Sequence, residues 1–461
     1  MKNKWMLILL SLTTLQLTAC GSQTETQNPP VKTEIIPEQT LSGSEEETAS
    51  PEDTESDTDT QEPTTDVSDE TSFDADAFIA ANSIDYGITI TYEETSSEAS
   101  ADDGTVLLTW SCQKPVVSIE GNEQAAAKIN ADLDAYYATF GDSDAYLDYA
   151  KDDYAFRLDE GIADTMIAYS DDVYVAATRA DSSVISFEIT FASYTGGAHG
   201  NYASIGRNYN AVTGDLITFE DLSADAATFR TSVLGYLTDL SALSSYADRM
   251  FAPGTRENIE SVLLADEKWF FTNDGIAFIS DPYCLGPYAA GTIYFPVSYA
   301  DIASMGLKED YAYPGTLMIR QPYQSAYDNE TGEISLTEEG EYSYDLNGDG
   351  TADNIAFYDM VYDSDTAESS LHLFINGVDL QDVLKEHIDL SKGYLSGTDY
   401  LLYDMDSSDS YVEIAVPFSI VDGDKVSYFF RYTRQGTLEY LGQVTGDVSR
   451  PGVDFTTFQE S

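Results

Sequence analysis

Positive charge is what this sequence has least of: 21 Lys and Arg stand against 82 Asp and Glu, a formal net charge of −61 over 461 residues. A field of that sign repels nucleic acid and other polyanions and attracts cations and basic proteins. A nucleic-acid-binding role is thereby excluded. Acidity also keeps secreted proteins soluble, so charge alone selects no partner. Histidine and cysteine are scarce too, at three each, and no CxxC pair or His-rich tract occurs. Neither a zinc site nor a thiol redox motif is legible. Cys112 and Cys284 could pair outside the cell, closing a long loop worth roughly 5 kcal/mol in the chain-entropy model, or remain separate buried thiols.

Long apolar runs are missing as well. Lys2 and Lys4 precede a short one, Trp5 to Leu10, and Leu17-Thr18-Ala19-Cys20 follows as a lipobox. So short a run cannot span ~30 Å of hydrocarbon, so residues 1–20 are expected to be a cleaved export signal with the Cys20 thiol as lipid acceptor. An ordinary cysteine behind a plain secretory signal is the alternative. The expected location is outside the cytoplasm, with the lipid anchor as the only membrane contact. Residues 21–76 hold 17 Asp or Glu against one basic residue, Lys32, and no aromatic before Phe73. Such a segment buries too little apolar surface to offset its ordering entropy and is expected to be a disordered tether. Like charges extend it beyond the ~40 Å of a flexible coil of its length.

The remaining 385 residues carry a net charge near −47 and are long enough for two or three cored domains. Residues 105–120 predict a strand, a break at Pro115 and a second strand. Asn122 is placed to cap a helix whose Ile129, Leu133, Tyr136 and Phe140 share a face. A further helix is expected over 143–158, with strands at Val173–Thr178 and Val184–Ser193. Thr213-Gly214-Asp215 predicts a hairpin between Tyr209 and Phe219. Phe229, Val233, Leu237 and Leu240 mark another helix. Strands near Trp269–Phe271 and Ile276–Ile279 flank the turn Asn273-Asp274-Gly275. This mixture predicts an α+β domain over 77–314, in halves 77–165 and 166–314, followed by a β-rich domain over 315–461.

Two segments carry candidate chemistry in the α+β part. Thr195-Gly196-Gly197-Ala198-His199-Gly200-Asn201 packs three glycines into six residues, permitting positive φ and close backbone approach. His199 could act as a base or ligand beside Asp274, Asp281 or Tyr283; it could equally bond a carbonyl and brace the turn. In the run from Tyr283 to Gly291, Tyr283 and Tyr288 could anchor an interface, since Tyr is enriched at binding hot spots, or shape a loop against the sheet.

Together with Tyr209-Asn210, the Phe219-to-Leu222 helix entry, Trp269-Phe270 and Asn273 to Gly291, the Tyr194-to-Asn201 segment resembles the extracellular domain of the RsiV type of lysozyme-sensing anti-sigma factor. The same unit is similar to the non-catalytic module of PdaC-type peptidoglycan deacetylases, and Pro115 to Leu133 resembles its N-terminal half. The resemblance covers roughly residues 80–305 and implies an envelope-facing binding module. The sigma-binding segment, membrane helix and metal-dependent catalytic domain of those families have no counterpart here, so transmembrane signalling and deacetylation are not implied.

Beyond Tyr313-Pro314-Gly315 the chain changes character. Asp345, Asn347, Asp349 and Asp353 stand at positions 1, 3, 5 and 9 of a loop, with the Thr351 carbonyl at position 7 and Gly350 at the sharp turn. Alternate oxygen donors of this kind suit calcium, in a structural role. Position 12 is Ala356 instead of the bidentate Glu of an EF-hand, and a strand-like Ile355-Ala356-Phe357-Tyr358 follows. The pattern therefore resembles the calcium loops of FG-GAP/VCBS-type repeats. A weaker echo is Asp404, Asp406, Asp409 and Glu413. Both could also be ion-free turns. His372 and His387 show no ligand spacing.

These readings lead to a surface-anchored, non-enzymatic lipoprotein that binds an extracellular ligand, a cationic protein such as lysozyme or a cell-wall glycan. An envelope enzyme using His199 and nearby carboxylates, and an adhesion protein acting through the C-terminal β domain, are the alternatives.

Overall fold

Asp74 caps the first helix, α1 (Ala75–Asn82), by accepting a hydrogen bond from the Ala77 N–H at 3.0 Å, as short polar side chains do at helix N-termini. It stands at the start of what the structure, a computed structural model, describes: residues 73–461 apart from 141–143, 252–254, 317, 327–333, 364–367, 397–398 and 422. The export signal, Cys20 and the tether up to residue 72 lie outside the described residues. Eight α-helices and nineteen strands among the described residues make the fold α+β. No helix among them is long and apolar enough to cross a membrane.

Strands β1 (Ile88–Ser100) and β2 (Val106–Ile119) form a long antiparallel hairpin. Helices α2 (Glu123–Tyr137) and α3 (Asp144–Glu160) then carry the chain to β3 (Tyr169–Ala180), which runs parallel to β2. With β4 (Val184–Tyr194) and β5 (Asn201–Asn210) the sheet order is β1-β2-β3-β4-β5. Asn122 caps α2 as expected, accepting from the Ala125 N–H at 3.3 Å. The helix seats Ile129, Leu133 and Tyr137 against Val117, Val173, Phe187 and Ile205 of the sheet. Cys112 belongs to the same core as a free thiol, so it does not pair with Cys284. Burial is the main influence raising its pKa.

Two expectations change here. Pro115 does not break β2. The β3 pairing ends at Cys112, so Pro115 lies where β2 is bonded on the β1 side only and a missing N–H is tolerated. The hairpin expected after Tyr209 shrinks to one bridge, Tyr209 with Leu216, before a 3₁₀ turn at Phe219–Leu222. There the Asn210 side chain accepts the Val212 and Thr213 N–H groups, both at 2.9 Å, and curls the chain locally instead of extending it.

Helices α4 (Ala226–Leu240), α5 (Ser244–Ala247) and α6 (Arg256–Leu263) cover the three-stranded sheet β6 (Trp269–Phe271), β7 (Gly275–Ser280), β8 (Ile293–Ser298), which ends in α7 (Tyr299–Ser304). Their core unites Phe229, Val233, Leu237, Ile259, Phe271, Phe278 and Phe295. The two sheets meet where Gly206 of β5 passes beneath β6; a Cβ there would lie 1.8 Å from the Trp269 carbonyl. A buried polar relay ties the joint, with Ser186 Oγ and Asn208 Oδ1 both accepting the Phe271 N–H at 3.1 Å. Arg179, fully buried, pins the far side. It bonds Asp181 and Tyr299, donates to the Tyr311 and Ala312 carbonyls at 2.7 and 2.9 Å, and lies over the Phe271, Tyr299 and Tyr313 rings. So complete a set of partners is what makes an interior guanidinium tolerable.

The C-terminal region is β-rich. One sheet joins β10 (Tyr342–Tyr344), β11 (Asp353–Asp363), β12 (Glu368–Ile375) and β13 (Val378–Asp379). After α8 (Gln381–His387) the chain builds the other from β14 (Gly393–Leu395), β15 (Asp399–Tyr403), β16 (Glu413–Ile420), β17 (Lys425–Tyr432), β18 (Leu438–Thr445) and β19 (Gln459–Glu460), with β9 (Met318–Pro322) along β15. Ile355, Phe357, Leu373, Ile414, Val416 and Phe430 fill the space between the sheets. Two sheets packed over one core are not radial blades, and the likeness to propeller-type repeats finds no support in this architecture.

The cores on either side of residue 314 are separate, yet Phe73–Ser461 forms one compact unit. Arg320 of β9 reaches back to Asp274 with two hydrogen bonds of 2.9 Å. Helix α1 packs on the second sheet of the C-terminal region: Phe78, 1% exposed, sits among Tyr403, Phe429, Phe455 and Phe458. Burying one such ring is worth roughly 1.5–3 kcal/mol.

Candidate functional site

The turn between β4 and β5 and the loop after β7 bring His199, Tyr283 and Tyr288 together. Gly196 and Gly197 take positive φ, 87° and 101°, and Gly200 passes so close to β4 that a Cβ would lie 2.8 Å from the Ser193 carbonyl. That path places the His199 ring on Tyr288, centroids 3.8 Å apart and planes 20° from parallel. His199 Nδ1 lies 2.8 Å from the Gly200 carbonyl and Nε2 lies 3.2 Å from the Tyr283 hydroxyl. A carbonyl only accepts, so in the neutral ring Nδ1 carries the proton and Nε2 accepts from the Tyr283 O–H. The imidazole thus bonds both its own turn and the loop that carries Tyr283.

The carboxylates Asp274 and Asp281 are engaged elsewhere. Asp274 is held by Arg320, and Asp281 is paired with Lys268 in the interior. Asp281 Oδ1 also accepts the Ser204 N–H at 2.9 Å while Lys268 Nζ donates to the Ser204 carbonyl at 2.7 Å. This buried clamp locks β5 to the loop that carries the tyrosines. Tyr283 sits at φ 68° and is 52% exposed, and its N–H donates to the Gly286 carbonyl at 2.9 Å. Positive φ on an aromatic residue costs on the order of 1–3 kcal/mol and persists only where the surroundings impose it. Tyr202, not singled out by sequence, completes the patch edge-on to Tyr288 at 5.8 Å. Burial is the main influence raising its hydroxyl pKa, helped by Tyr288 and Asp281. Beside the rings lies a cavity of about 210 Å³ lined by Tyr202, Asp281, Pro282, Tyr283 and Tyr288 among others. Alternation of β5 would have pointed to Tyr202, but only the fold shows which face meets the loop.

The two acidic runs both become hairpin loops. In the first, joining β10 to β11, Asp345 accepts the N–H groups of Asp349 and Gly350 at 3.1 and 2.9 Å, and Asn347 accepts that of Asp349 at 3.1 Å. These bonds curl the loop. Thr351 follows, its N–H on Asp349 Oδ1 at 2.7 Å. Asp353 is buried and turned away, receiving the Leu346 N–H at 3.0 Å and the Asn376 amide at 2.8 Å. Positions 1, 3 and 5 thus accept backbone N–H groups of their own loop, and position 9 is committed to the fold. In the second, joining β15 to β16, Asp409 and fully buried Glu413 take the Arg431 guanidinium, while Asp406 accepts from Ser408. Asp404 stays nearby, its carboxyl pushed up by burial and then by Asp409 and Asp406. Among the described residues no three His, Cys, Asp or Glu side chains converge as a metal centre.

Comparison with known proteins bears on the region around the patch. No curated protein matches the chain. A DUF3298-family protein of Bacteroides fragilis is 16% identical in a superposition covering 50% of this chain and 96% of that one, with a TM-score of 0.34. For a DUF3298-family protein of Pseudomonas aeruginosa the figures are 11%, 48%, 95% and 0.31. Residues 241–300, which run from the α4–α5 junction into α7 and contain Tyr283 and Tyr288, match the family model described as a protein of unknown function, DUF3298, so this chain carries a DUF3298 domain.

Proposed function

We propose that the protein is an envelope lipoprotein, anchored through Cys20 and held off the membrane by its acidic tether, whose His199–Tyr283–Tyr288 patch binds an extracellular ligand. The observation that carries this reading is Tyr283: exposed, strained at φ 68°, and hydrogen-bonded to a histidine that stacks on a second tyrosine. Rigid aromatic anchors lose little entropy on binding and are the residues around which interfaces concentrate their energy. The ligand this surface suits is a cationic protein such as lysozyme, in keeping with the net charge of −61 and the resemblance to RsiV-type and PdaC-type modules. Peptidoglycan fragments, whose sugar rings stack on tyrosine, are the alternative ligand. The loop at Asp345, Asn347 and Asp349 would hold a structural calcium ion away from this surface.

Calorimetry of the full chain with lysozyme, at low salt and near ~0.5 M, tests the proposal, because screening at the higher strength leaves only a shaped interface. Tyr288→Ala is expected to weaken salt-resistant binding at least ~30-fold, a hot-spot loss of about 2 kcal/mol. Binding that vanishes in salt, or ignores Tyr288→Ala, removes lysozyme as the ligand of this patch. A muropeptide titration then decides whether the patch serves a glycan.

A further inference from the structure

On β12, Ser370 and His372 are two residues apart and share one face of the strand. The turn into β13 is Asn376-Gly377, both at positive φ (52° and 78°), the conformation of a tight two-residue hairpin. It sets Asp379 opposite Phe374, hence diagonal to His372. Asp379 Oδ2 lies 2.9 Å from His372 Nδ1, and His372 Nε2 lies 2.9 Å from Ser370 Oγ. Asp379 is itself steadied by the Gln381 N–H and side-chain amide, each at 3.0 Å. An ionised carboxylate only accepts, so Nδ1 of the neutral ring bears the proton and Nε2 accepts from the Ser370 hydroxyl.

From this geometry we infer that Ser370, His372 and Asp379 are nucleophile, general base and orienting carboxylate of a site for hydrolysis of small carboxylate esters, independent of the His199 patch. A nucleophile within reach of a base that a third group orients is the arrangement that activates a serine. The His372 and Asp379 side chains are 13% and 26% exposed, so the site is partly shielded yet open to a small substrate.

In the reaction Ser370 Oγ attacks the ester carbonyl carbon while its proton passes to His372 Nε2. The carbonyl oxygen becomes the oxyanion of a tetrahedral intermediate. The bond to the alcohol oxygen breaks, that oxygen takes the proton from Nε2, and the acyl group stays on Ser370. Water repeats the sequence, releasing the carboxylic acid and restoring the hydroxyl. With the chain at −61, neutral or basic esters are favoured over anionic ones.

The test uses the full chain with a fluorophosphonate probe and with p-nitrophenyl acetate. Peptide mass spectrometry is expected to find the phosphonyl group on Ser370, and His372→Gln to slow labelling and acetate release on the order of 100-fold, as loss of a general base does. Ser370→Cys, which keeps a nucleophile in nearly the same volume, is expected to become alkylated by iodoacetamide faster with His372 present than without it. A wild-type chain left unlabelled at Ser370 overturns the inference. So does labelling at an unchanged rate in folded His372→Gln, which would mark Ser370 as merely exposed.

Discussion

Two acidic hairpin loops lie against each other in the C-terminal region, residues 345–353 between β10 and β11 and residues 404–413 between β15 and β16. Each starts with an aspartate followed by a buried apolar residue, Leu346 or Met405, whose N–H donates at 3.0 Å to the carboxylate that opens the next strand, Asp353 or Glu413. They touch directly: the Val412 N–H reaches the Leu346 carbonyl at 2.9 Å. Arg434 spans both, donating to the Asn347 carbonyl at 3.0 Å and to Ser410 Oγ at 3.2 Å. What differs is the source of positive charge. In the second loop β17 supplies it as Arg431, 5% exposed, stacked 4.5 Å from the Tyr411 ring. In the first, backbone N–H groups meet the carboxylates, and among the described residues no guanidinium does. A cluster of acids can thus be met by a guanidinium from a neighbouring strand or by backbone amides of its own loop, and spacing alone does not tell which.

Removing the internal cation is the severest way to break the comparison. Arg431→Met would leave Glu413 fully buried and Asp409 nearly so without their partner, and stripping one member from a buried pair costs about 3–5 kcal/mol. Urea denaturation should show that loss; one below about 1 kcal/mol would mean that Arg431 is not what neutralises the loop. Calcium is expected to act on the first loop only. At a hundredfold excess over its dissociation constant it would stabilise the protein by about 2.7 kcal/mol. Asp345→Asn should abolish the rise in melting temperature and Asp404→Asn should leave it intact; the reverse pattern would exchange the roles of the loops.

The contact between the loops gives a smaller effect. Gly348 has φ 64°, and a Cβ on it would lie 2.0 Å from Ser410 Oγ and 2.6 Å from the Ser410 carbonyl. Gly348→Ala should therefore cost about 1–3 kcal/mol in strain, read by thermal melting. Ser410→Gly should restore only part of it, because the carbonyl remains in the way.

How far such features could be read beforehand follows from their range in sequence. The Asn122 cap, the α2 face and the turn at Asn273-Asp274-Gly275 are local, and the residues announce them. Strand β1 escapes because Glu93, Glu94, Ser96, Ser97 and Glu98 leave no apolar alternation on an exposed edge. The packing of α1 on a sheet more than 230 residues away in sequence has no local mark either. At the sites, His199, Tyr283 and Tyr288 were recognisable by type, yet their convergence needed β5 and the loop after β7 to be placed. Ser370 and Asp379 had no motif; S-x-H with an Asn-Gly turn and an Asp behind it becomes meaningful only once the hairpin is known.

The smallest effect is one of pH, and it separates two carboxylates in the same loop. Burial pushes Glu413 above its usual 4.5 even with Arg431 beside it. Its protonated form is therefore favoured by folding, and its contribution to stability falls as pH rises from 4.5 through the raised folded value. Asp406 has the opposite sign: hydrogen bonds from Ser408 hold it below its usual 3.8. Its stabilising contribution is in full above 3.8 and disappears as pH drops through the lowered folded value. Glu413→Gln should flatten the dependence above 4.5 and leave the acid limb unchanged. Denaturant midpoints from about pH 3 to about pH 7 would show this, within the range where carboxylates titrate. A Glu413→Gln chain that still loses stability with rising pH would mean that another buried carboxylate, not the one Arg431 holds, governs that limb.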